Sequence, residues 1–441
     1  MRRHLPALLA LLSHTVLADQ LIIDAADPDP SSAKNILLPY AFNTEELATG
    51  VGAIYARSGG GQAQQSAFAS GYYTTNDSYG VIGGLNRRRV WSERLYFSPI
   101  VVVRWNKDQR FYGDLFFRQA DGGAGSNESD VDNFESGEGT DSVVDLPFRF
   151  VLPLGDGREA SIRRYETRGG LPVLPAPGRR TWNPLNSGFT ILEIKPFYQR
   201  RSLEITQDNV DQFPPLVGVV VGETATSKSA GVAVTLEYDN RDFPVNPARG
   251  SFTWARIERD WGWLASTDEW TSLQGSFSKY FDLESTKFFR QRVVALDAWT
   301  AYTPTWTVEP VGDGFVFIRD RPPGNRGASL GGPIRLRAYP LGRFNDKAAI
   351  YYSAELRLIP EWDPLARWPI VRRTPWRWWQ WVLFGELGRV AKSWDVSTLH
   401  DDMKWSVGFG FRAMIGSSVA RLDIAISDES TQGMLFLGQP F

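Results

Sequence analysis

The feature that most constrains this chain is a strict alternation of apolar and polar residues along extended segments of its C-terminal third. Over residues 349–359 the even positions are apolar, and the odd positions carry most of the polar side chains. The same period of two recurs over 404–415, 420–427 and, earlier, 232–239. Successive side chains point to opposite faces of a β-strand, so this period predicts strands with one apolar and one polar face.

The length of these segments separates a membrane barrel from a soluble sheet. Soluble strands usually have about 5 or 6 residues, whereas a tilted membrane strand needs about 9 to 11. Segments such as 404–415 fit the second class. A soluble β-sandwich, which alternates in the same way, is the alternative. Aromatic residues near the segment ends suit interfacial girdles and favour the barrel; they are Tyr238, Trp254, Trp261, Trp299, Tyr302, Trp381 and Trp405.

We therefore predict an all-β fold, a transmembrane antiparallel β-barrel of 16 strands with a long extracellular loop folded into its lumen. An even number is what single-chain bacterial barrels have. The predicted strands are 44–59, 65–75, 78–90, 94–107, 110–118, 143–153, 189–206, 229–242, 250–261, 270–283, 287–303, 346–359, 380–391, 403–416, 418–428 and 432–441.

The first residues predict export from the cytoplasm. Arg2 and Arg3 precede a leucine-rich run, and small residues end it at Ala18, which is typical of a secretory signal peptide over 1–18. No later stretch approaches the roughly 20 consecutive apolar residues of a membrane helix. The domain expectation is a signal peptide, a short periplasmic segment over 19–43 and an outer-membrane barrel over 44–441.

Composition excludes several other classes of protein. The chain has no cysteine, which rules out disulfides and thiolate metal sites. Two of its three histidines lie in the predicted signal peptide, so only His400 remains and a multi-histidine zinc centre is not available. The net charge of -2 shows no basic excess, so nucleic acid is not an expected partner.

One loop motif resembles a known family. Residues 331–340 read GGPIRLRAYP and precede the strand that carries Glu355 and Arg357. This segment resembles the signature of the BamA/TamA-like bacterial surface antigen family, which has a Gly-Gly pair and then Arg-Gly-Tyr or Arg-Gly-Phe. Here Ala338 replaces the middle glycine, which puts the tightest backbone conformation of the loop in question because alanine tolerates positive φ poorly.

The resemblance covers roughly residues 229–441. It includes YDNRD at 238–242, FGELG at 384–388 and the terminal Phe441 of the last strand. Well-known members carry periplasmic domains ahead of the barrel, whereas residues 19–43 are fewer than the roughly 50 of a minimal domain. The resemblance therefore implies a barrel-only branch of the family.

In that family the loop folds into the barrel, and its arginine meets acidic groups on the inner wall. Alternation supports this, because lipid would reject Glu386 and its face should therefore be luminal. We expect Arg337 to lie between Glu386 and Glu355; the alternative is a solvated loop arginine. The residues assigned to this luminal loop lock are Arg337, Tyr339, Gly331, Gly332, Glu355 and Glu386.

Two further segments carry candidate sites. Residues 121–141 hold seven carboxylates and predict a solvated external loop, with a Ca²⁺ site as the alternative. A basic, tryptophan-rich turn precedes the strand at 380, where periplasmic turns are normally short. It predicts either an aromatic girdle at the headgroup level or a docking surface for a separate periplasmic subunit. Its residues are Trp368, Arg372, Arg373, Trp376, Arg377, Trp378 and Trp379.

The expected function is a non-enzymatic barrel that assists outer-membrane biogenesis, by inserting or translocating polypeptide or lipid, in the bacterial outer membrane. Its expected partners are outer-membrane lipid and lipopolysaccharide, a separate periplasmic subunit or a client polypeptide. The alternatives are a passive porin or structural barrel and, less well supported, an outer-membrane phospholipase that uses His400 as its base. No cofactor is expected apart from the Ca²⁺ alternative.

Overall fold

The structure is a computed structural model, which describes residues 20–24, 33–44, 47–113, 117–119, 122–173, 182–207, 220–312, 314–324, 326–369, 371–416 and 418–441. The predicted signal peptide, residues 1–18, lies outside the described residues.

The main sheet formed by the described residues has 16 antiparallel strands. A bend divides three of the strands into two parts. In chain order the strands are β1 Lys34–Thr44, β2 Ala48–Ser58, β3 Ser66–Thr74, β4 Tyr79–Asn86 with Arg88–Arg89, β5 Leu95–Phe97 with Ile100–Phe111, β6 Glu135–Asp145 with Phe148–Val151, β7 Phe189–Glu204, β8 Thr224–Asp239, β9 Gly250–Trp261, β10 Glu269–Asp282, β11 Phe289–Tyr302, β12 Ala348–Pro360, β13 Trp376–Ala391, β14 Lys404–Ile415, β15 Ser418–Ile426 and β16 Thr431–Leu437.

The remaining elements are short and lie in the connections. They are the strands Gln20–Asp24, Phe117–Gln119, Arg163–Arg168, Leu171–Pro172, Thr307–Gly312, Phe315–Arg319, Ala328–Leu330 and Phe344–Asp346, the 3-10 turns Gly155–Arg158, Trp263–Ala265, Leu365–Arg367 and Val371–Arg373, and the helix Val396–Leu399. Among the described residues, no helix is both long enough and apolar enough to cross a membrane.

Each strand of the sheet pairs with the next one along the chain, from β1 with β2 to β15 with β16. Within the described part of the chain, no pairing joins β1 to β16, so the ladder has two free edges. The predicted number of strands is confirmed, but two compensating differences produce it. The barrel begins at Lys34 rather than at residue 44, and 110–118 is not a strand of its own, because β5 continues to Phe111.

The two faces of the sheet have opposite chemistry. The outward face exposes apolar side chains, for example Val234, Leu236 and Ile257. The inward face buries charged side chains such as Glu237 and Glu258. Apolar side chains tolerate lipid and buried charges do not, so the alternation fixes which face each residue of a strand occupies.

The two ends of the barrel differ in the length of their connections. At one end the loops 112–134, 205–223 and 303–347 are long, whereas most connections at the other end are short turns. Bacterial barrels have short periplasmic turns and longer extracellular loops, so we assign the long-loop end to the cell exterior. Two longer connections at the periplasmic end are 361–375 and 152–188. In the second, the strand Arg163–Arg168 pairs in parallel with Gln20–Asp24.

Candidate functional site

The connection between β11 and β12, residues 303–347, forms a luminal loop. Two strand pairs give it a defined shape: Thr307–Gly312 pairs with Phe315–Arg319, and Ala328–Leu330 pairs with Phe344–Asp346. The second pair brings both ends of the segment 331–343 together. The family-like motif therefore lies at the tip of a hairpin-like loop whose two ends are paired.

The glycine pair at the start of this hairpin-like loop is required by its backbone. Gly331 has a φ of 102° and Gly332 a φ of 98°. A Cβ at Gly331 would collide with the carbonyl oxygen of Pro340. Apart from these two glycines, the residue of the motif with a positive φ is Leu336, at 53°, and not Ala338. The alanine that replaces the middle glycine therefore imposes no left-handed strain.

The structure places Arg337 in the lumen among three carboxylates. Its Nε lies 2.8 Å from Oε1 of Glu386, and its Nη1 lies 2.9 Å from Oε1 of Glu355. Asp423, which was not predicted from the sequence, lies 2.8 Å from Nη1. The guanidinium also stacks over the ring of Phe384, 3.5 Å from its centroid. Charge-assisted bonds to several strands are the strongest polar contacts that a loop of this kind can make.

Glu386 is held in the cluster by hydrogen bonds from several donors. It accepts from the backbone N–H of Arg337 at 2.7 Å, in addition to the bond from Nε. The hydroxyls of Tyr351 and Ser406 also donate to it, at 2.6 Å and 2.5 Å. A carboxylate that accepts four hydrogen bonds is held in one orientation, so Glu386 fixes both the backbone and the side chain at the tip of the loop.

Glu355 and Asp423 also have wall arginines beside them. Arg412 donates to Glu355 at 2.8 Å, and Arg357 lies 2.8 Å from the same carboxylate. Arg421 lies 3.5 Å from Asp423. Four arginines therefore face three carboxylates, and this makes a luminal network that spans β12 to β15.

The luminal loop also holds the turn between β15 and β16. The hydroxyl of Tyr339 donates to Asp428 at 2.6 Å. Arg343 forms a bidentate pair with Glu429, at 2.8 Å and 3.0 Å. The hydroxyl of Ser430 donates to the carbonyl of Ala338 at 2.5 Å. The loop is thus attached to the hairpin that ends at one free edge of the ladder.

A second arginine anchors the luminal loop to another part of the wall. Arg326 lies 2.7 Å from Asp145 and 2.7 Å from Glu258, and its Nε donates to Gln199 at 3.0 Å. It also stacks over Phe197, 4.1 Å from the ring centroid. These partners belong to β6, β7 and β9. This anchor was not predicted from the sequence, because alternation marks the wall partners as inward but does not show which loop residue reaches them.

The acidic loop is packed against the luminal loop and is less solvated than predicted. Arg343 donates to the hydroxyl of Ser129 at 2.7 Å, and Ser129 is buried. Glu128 pairs with Arg389 at 2.9 Å, and Asp141 lies in β6 beside Arg104. The described residues contain no group of three or more that could hold a metal ion. Asp121 of the predicted acidic loop lies outside the described residues. The geometry gives no support to the Ca²⁺ alternative.

The basic, tryptophan-rich turn divides into an exposed part and a buried part. Trp368, Arg372 and Arg373 are exposed, as is the neighbouring Trp362. Arg377 and Trp376 are partly buried. The other two tryptophans are buried structural residues: Trp378 donates to the carbonyl of Gly170 at 3.1 Å, and Trp379 donates to the carbonyl of Trp362 at 3.1 Å.

The terminal Phe441 lies inside the barrel rather than in the last strand. The strand predicted over 432–441 ends at Leu437, because Gly438 turns the chain with a φ of 94° and Pro440 has no N–H to donate. The ring of Phe441 packs against Tyr280, 6.4 Å between centroids. The guanidinium of Arg357 lies 5.0 Å above it.

The ring nitrogens of His400 are both engaged. Nδ1 lies 2.7 Å from the carbonyl of Val396, and Nε2 lies 2.9 Å from the hydroxyl of Tyr352. A carbonyl only accepts, so Nδ1 carries the proton and Nε2 accepts from the tyrosine. A serine nucleophile would need this nitrogen as its base, and it is already occupied.

Three comparisons relate the chain to known proteins. The model of the Omp85 superfamily domain matches residues 184–438. Comparison with the curated proteins gave no match. Among solved structures, BamA from Haemophilus ducreyi lacking POTRA domains 1–3 is 13% identical, with a TM-score of 0.47 over 93% of this chain and 71% of that chain. CdiB from Escherichia coli is 11% identical, with a TM-score of 0.52 over 92% of this chain. The chain spans 61% of the CdiB chain, and at this identity the likeness is one of fold.

Proposed function

Since the chain belongs to the Omp85 superfamily of bacterial outer-membrane barrels, we propose that it is a non-enzymatic barrel of outer-membrane biogenesis. In this proposal it inserts or translocates polypeptide or lipid at the seam between β1 and β16.

The observation that carries the proposal is a filled lumen beside an unpaired seam. The luminal loop crosses the interior, and Arg337, Tyr339 and Arg343 at its tip are all almost completely buried. A substrate therefore has no ready route through the centre. Among the described residues, β1 and β16 make no pairing with each other. Unpaired strand edges are templates for another strand, which suits the handling of extended polypeptide.

The composition of the two edge strands agrees with a weak seam. β16 has 7 residues and contains Gly433, and the chain leaves it at Gly438. β1 contains Pro39, which cannot donate to a ladder. The shortness of β16 and the missing N–H of Pro39 in β1 both lower the number of hydrogen bonds that the seam could form.

A reversible cross-link would test the seam directly, because the chain contains no cysteine of its own. Leu37→Cys in β1 and Leu435→Cys in β16, joined by a thiol cross-linker that a reductant cleaves, should reproduce the outer-membrane composition of a deletion strain. Reduction should restore the wild-type composition. The control is Leu422→Cys with Leu435→Cys, which joins two strands already paired in register. A wild-type outer-membrane composition in cells whose seam is cross-linked would contradict the proposal.

A passive porin is the second candidate, and the filled lumen disfavours it. A porin predicts steady conductance in planar bilayers and no change in outer-membrane composition on deletion. We expect no steady conductance from the intact chain. Steady single-channel current from the wild-type protein, with a normal outer membrane in the deletion strain, would favour the porin.

The exposed part of the tryptophan-rich turn supplies a surface for a periplasmic partner. Trp368, Arg372 and Arg373 combine apolar rings with cationic groups at the periplasmic rim, which suits anionic headgroups or a separate periplasmic subunit. Purification of the native complex in mild detergent, followed by identification of what accompanies it, distinguishes these two partners.

A further inference from the structure

Two cations lie directly opposite each other on neighbouring strands of the barrel. Arg200 of β7 is in register with Lys228 of β8. Directly paired residues point to the same face of a sheet, with Cβ atoms about 4.5 to 5.5 Å apart. Like charges in this position repel each other and destabilise the pair unless an anion lies between them.

Both side chains face outward, toward the lipid. Gln199, next to Arg200, points into the lumen, where it accepts from Arg326. Ser229, next to Lys228, is buried and donates to the luminal Asp260 at 2.6 Å. Successive residues of a strand alternate between faces, so Arg200 and Lys228 lie on the outer wall.

The pair lies at the extracellular border of the apolar band. The outward positions of β7 before Arg200 are Leu192, Ile194, Pro196 and Tyr198. Eight residues of a strand tilted by about 40° rise about 20 Å, most of the roughly 25 Å apolar height of a bacterial barrel. The two cations are therefore at the level of the outer-leaflet headgroups.

Neither cation has a carboxylate partner among the described residues. Among the described residues, the guanidinium of Arg200 has its hydrogen bond to the hydroxyl of Thr140, at 3.4 Å. Other outward cations at this rim are neutralised: Lys107 pairs with Glu138, and Arg259 lies 3.3 Å from Glu269. Within the described part of the chain, the charge of the Arg200 and Lys228 pair is thus left uncompensated on this wall.

An apolar, aromatic surface adjoins the pair. Trp261 stacks with Trp263 at 4.7 Å between centroids, and both are exposed together with Leu264. This turn is joined to Lys228, whose backbone N–H lies 2.9 Å from the hydroxyl of Thr267. Exposed indole and leucine side chains at a membrane border suit acyl chains and the base of a headgroup.

We propose that Arg200 and Lys228 bind a phosphate of lipopolysaccharide in the outer leaflet, with the Trp261 turn against its acyl chains. Phosphate matches the planar donors of arginine and the point charge of lysine. Lipopolysaccharide is the phosphate-bearing lipid of that leaflet, and the assignment of the long-loop end to the cell exterior selects it over phospholipid. This site goes beyond the proposed function and does not depend on the seam.

The test measures binding of rough-type lipopolysaccharide to the full barrel in detergent by native mass spectrometry. Arg200→Gln with Lys228→Gln should weaken binding at least tenfold. Lipopolysaccharide stripped of its lipid A phosphates should bind wild type and variant equally. Lys107→Gln, on the same wall but already paired, and Arg249→Gln, paired with Asp282 at the other rim, are the controls and should bind as wild type does.

Thermal denaturation gives a second readout, because the difference in melting temperature between variant and wild type should change sign when lipopolysaccharide is added. Without lipopolysaccharide, Lys228→Gln should melt at or above the wild-type temperature, because a repulsion is removed. With lipopolysaccharide, the variant should melt below wild type. Equal affinity of wild type and double variant, equal loss in the controls, or equally tight binding of phosphatidylglycerol vesicles would overturn the proposal.

Discussion

Arg326 donates to Asp145 across 2.7 Å, and this pair ties the luminal loop to β6, while Arg337 of the same loop is tied to β12, β13 and β15. One extracellular connection is therefore held at two separate parts of the barrel wall. The segment between the two arginines cannot leave the lumen while both anchors are intact. The loop is therefore fixed to the barrel wall at two points and not at one.

The first prediction concerns the Arg326 anchor. Arg326→Ala removes the arginine from the buried Asp145 and Glu258, and loss of one partner of a buried pair costs about 3 to 5 kcal/mol. Lys195, 3.5 Å from Asp145, offsets part of that cost. We expect a lower melting temperature, and external protease should cut the loop before residue 331 while the tip stays protected by Arg337. The matched control is Arg319→Ala, an exposed arginine of the same loop. Cleavage on both sides of the motif would show that the two anchors are not independent.

The second prediction concerns the side of the membrane on which the acidic loop lies. An epitope tag inserted beside Asp130, which is exposed, should bind antibody on intact cells. Insertion at Ser126 or Ser129 should instead disturb the loop, because both are buried. Labelling that requires permeabilised cells would reverse the orientation assigned from loop lengths.

The fold could be predicted from the sequence because the lipid-facing wall imposes one rule on every long strand, namely that apolar outward residues alternate with polar inward residues. The rule fails at β1, where Pro39 and a mixed pattern over Lys34–Thr44 hide the strand. It also fails at residues 110–118, because β5 already ends at Phe111 and Phe117–Gln119 is a separate short strand that pairs with Phe315–Arg319.

Arg337, Glu355 and Glu386 could be named in advance because a family-like motif marked the arginine and alternation marked the acidic positions. Asp423 and Arg326 could not be named in the same way. Their partners are distant in the sequence, and an inward carboxylate does not show which loop reaches it. Pairing across the lumen depends on the path of the loop, which no local pattern records.

The third prediction concerns the periplasmic turn. Arg372→Gln with Arg373→Gln should weaken binding to liposomes that contain anionic lipid, or remove a co-purifying subunit, because both side chains are exposed. The barrel itself should remain heat-modifiable on gels. Trp378→Phe is the contrasting variant, since it removes the buried bond to Gly170 and should lower stability without changing binding. Unchanged binding to liposomes and unchanged co-purifying proteins would show that the turn is an aromatic girdle and not a docking surface.

The fourth prediction concerns pH at the external turn 392–403. Hydrogen bonds from Ser397 and Thr398 lower the pKa of Asp395 to about 2, from an ordinary value of 3.8. A carboxyl whose pKa is depressed on folding contributes stability above its unfolded pKa, and that stability is lost as the pH falls through the folded value. The protection of the amides of Val396–Leu399 against exchange should therefore stay constant from neutral pH to about pH 4 and fall between about pH 4 and pH 2. Asp395→Ala should be poorly protected throughout, and a pH-independent wild type would contradict this assignment.

The fifth prediction is that Arg337 is the principal attachment of the loop tip. Arg337→Ala leaves Glu386, Glu355 and Asp423 facing one another with one cation fewer, so we expect a loss of about 3 to 5 kcal/mol, exposure of 331–343 to external protease and a lower melting temperature. Lysine at this position should rescue only in part, because it lacks the planar fork that reaches several carboxylates at once.

Glu386→Gln separates charge from shape in the same cluster. Tyr351 donates to Oε1 of Glu386 and Ser406 to Oε2, so glutamine, with its single oxygen, can keep one of these two bonds. Glu355 and Asp423 still face the guanidinium. This change should therefore cost less than Arg337→Ala, whereas Glu386→Ala removes the acceptor of four hydrogen bonds and should cost as much or more. Exchange of the two charges, Arg337→Glu with Glu386→Arg, should recover only part of the loss, because the new glutamate would face Glu355 and Asp423. Wild-type melting temperature and protease resistance in Arg337→Ala would show that the tip is held by Tyr339 and Arg343 instead.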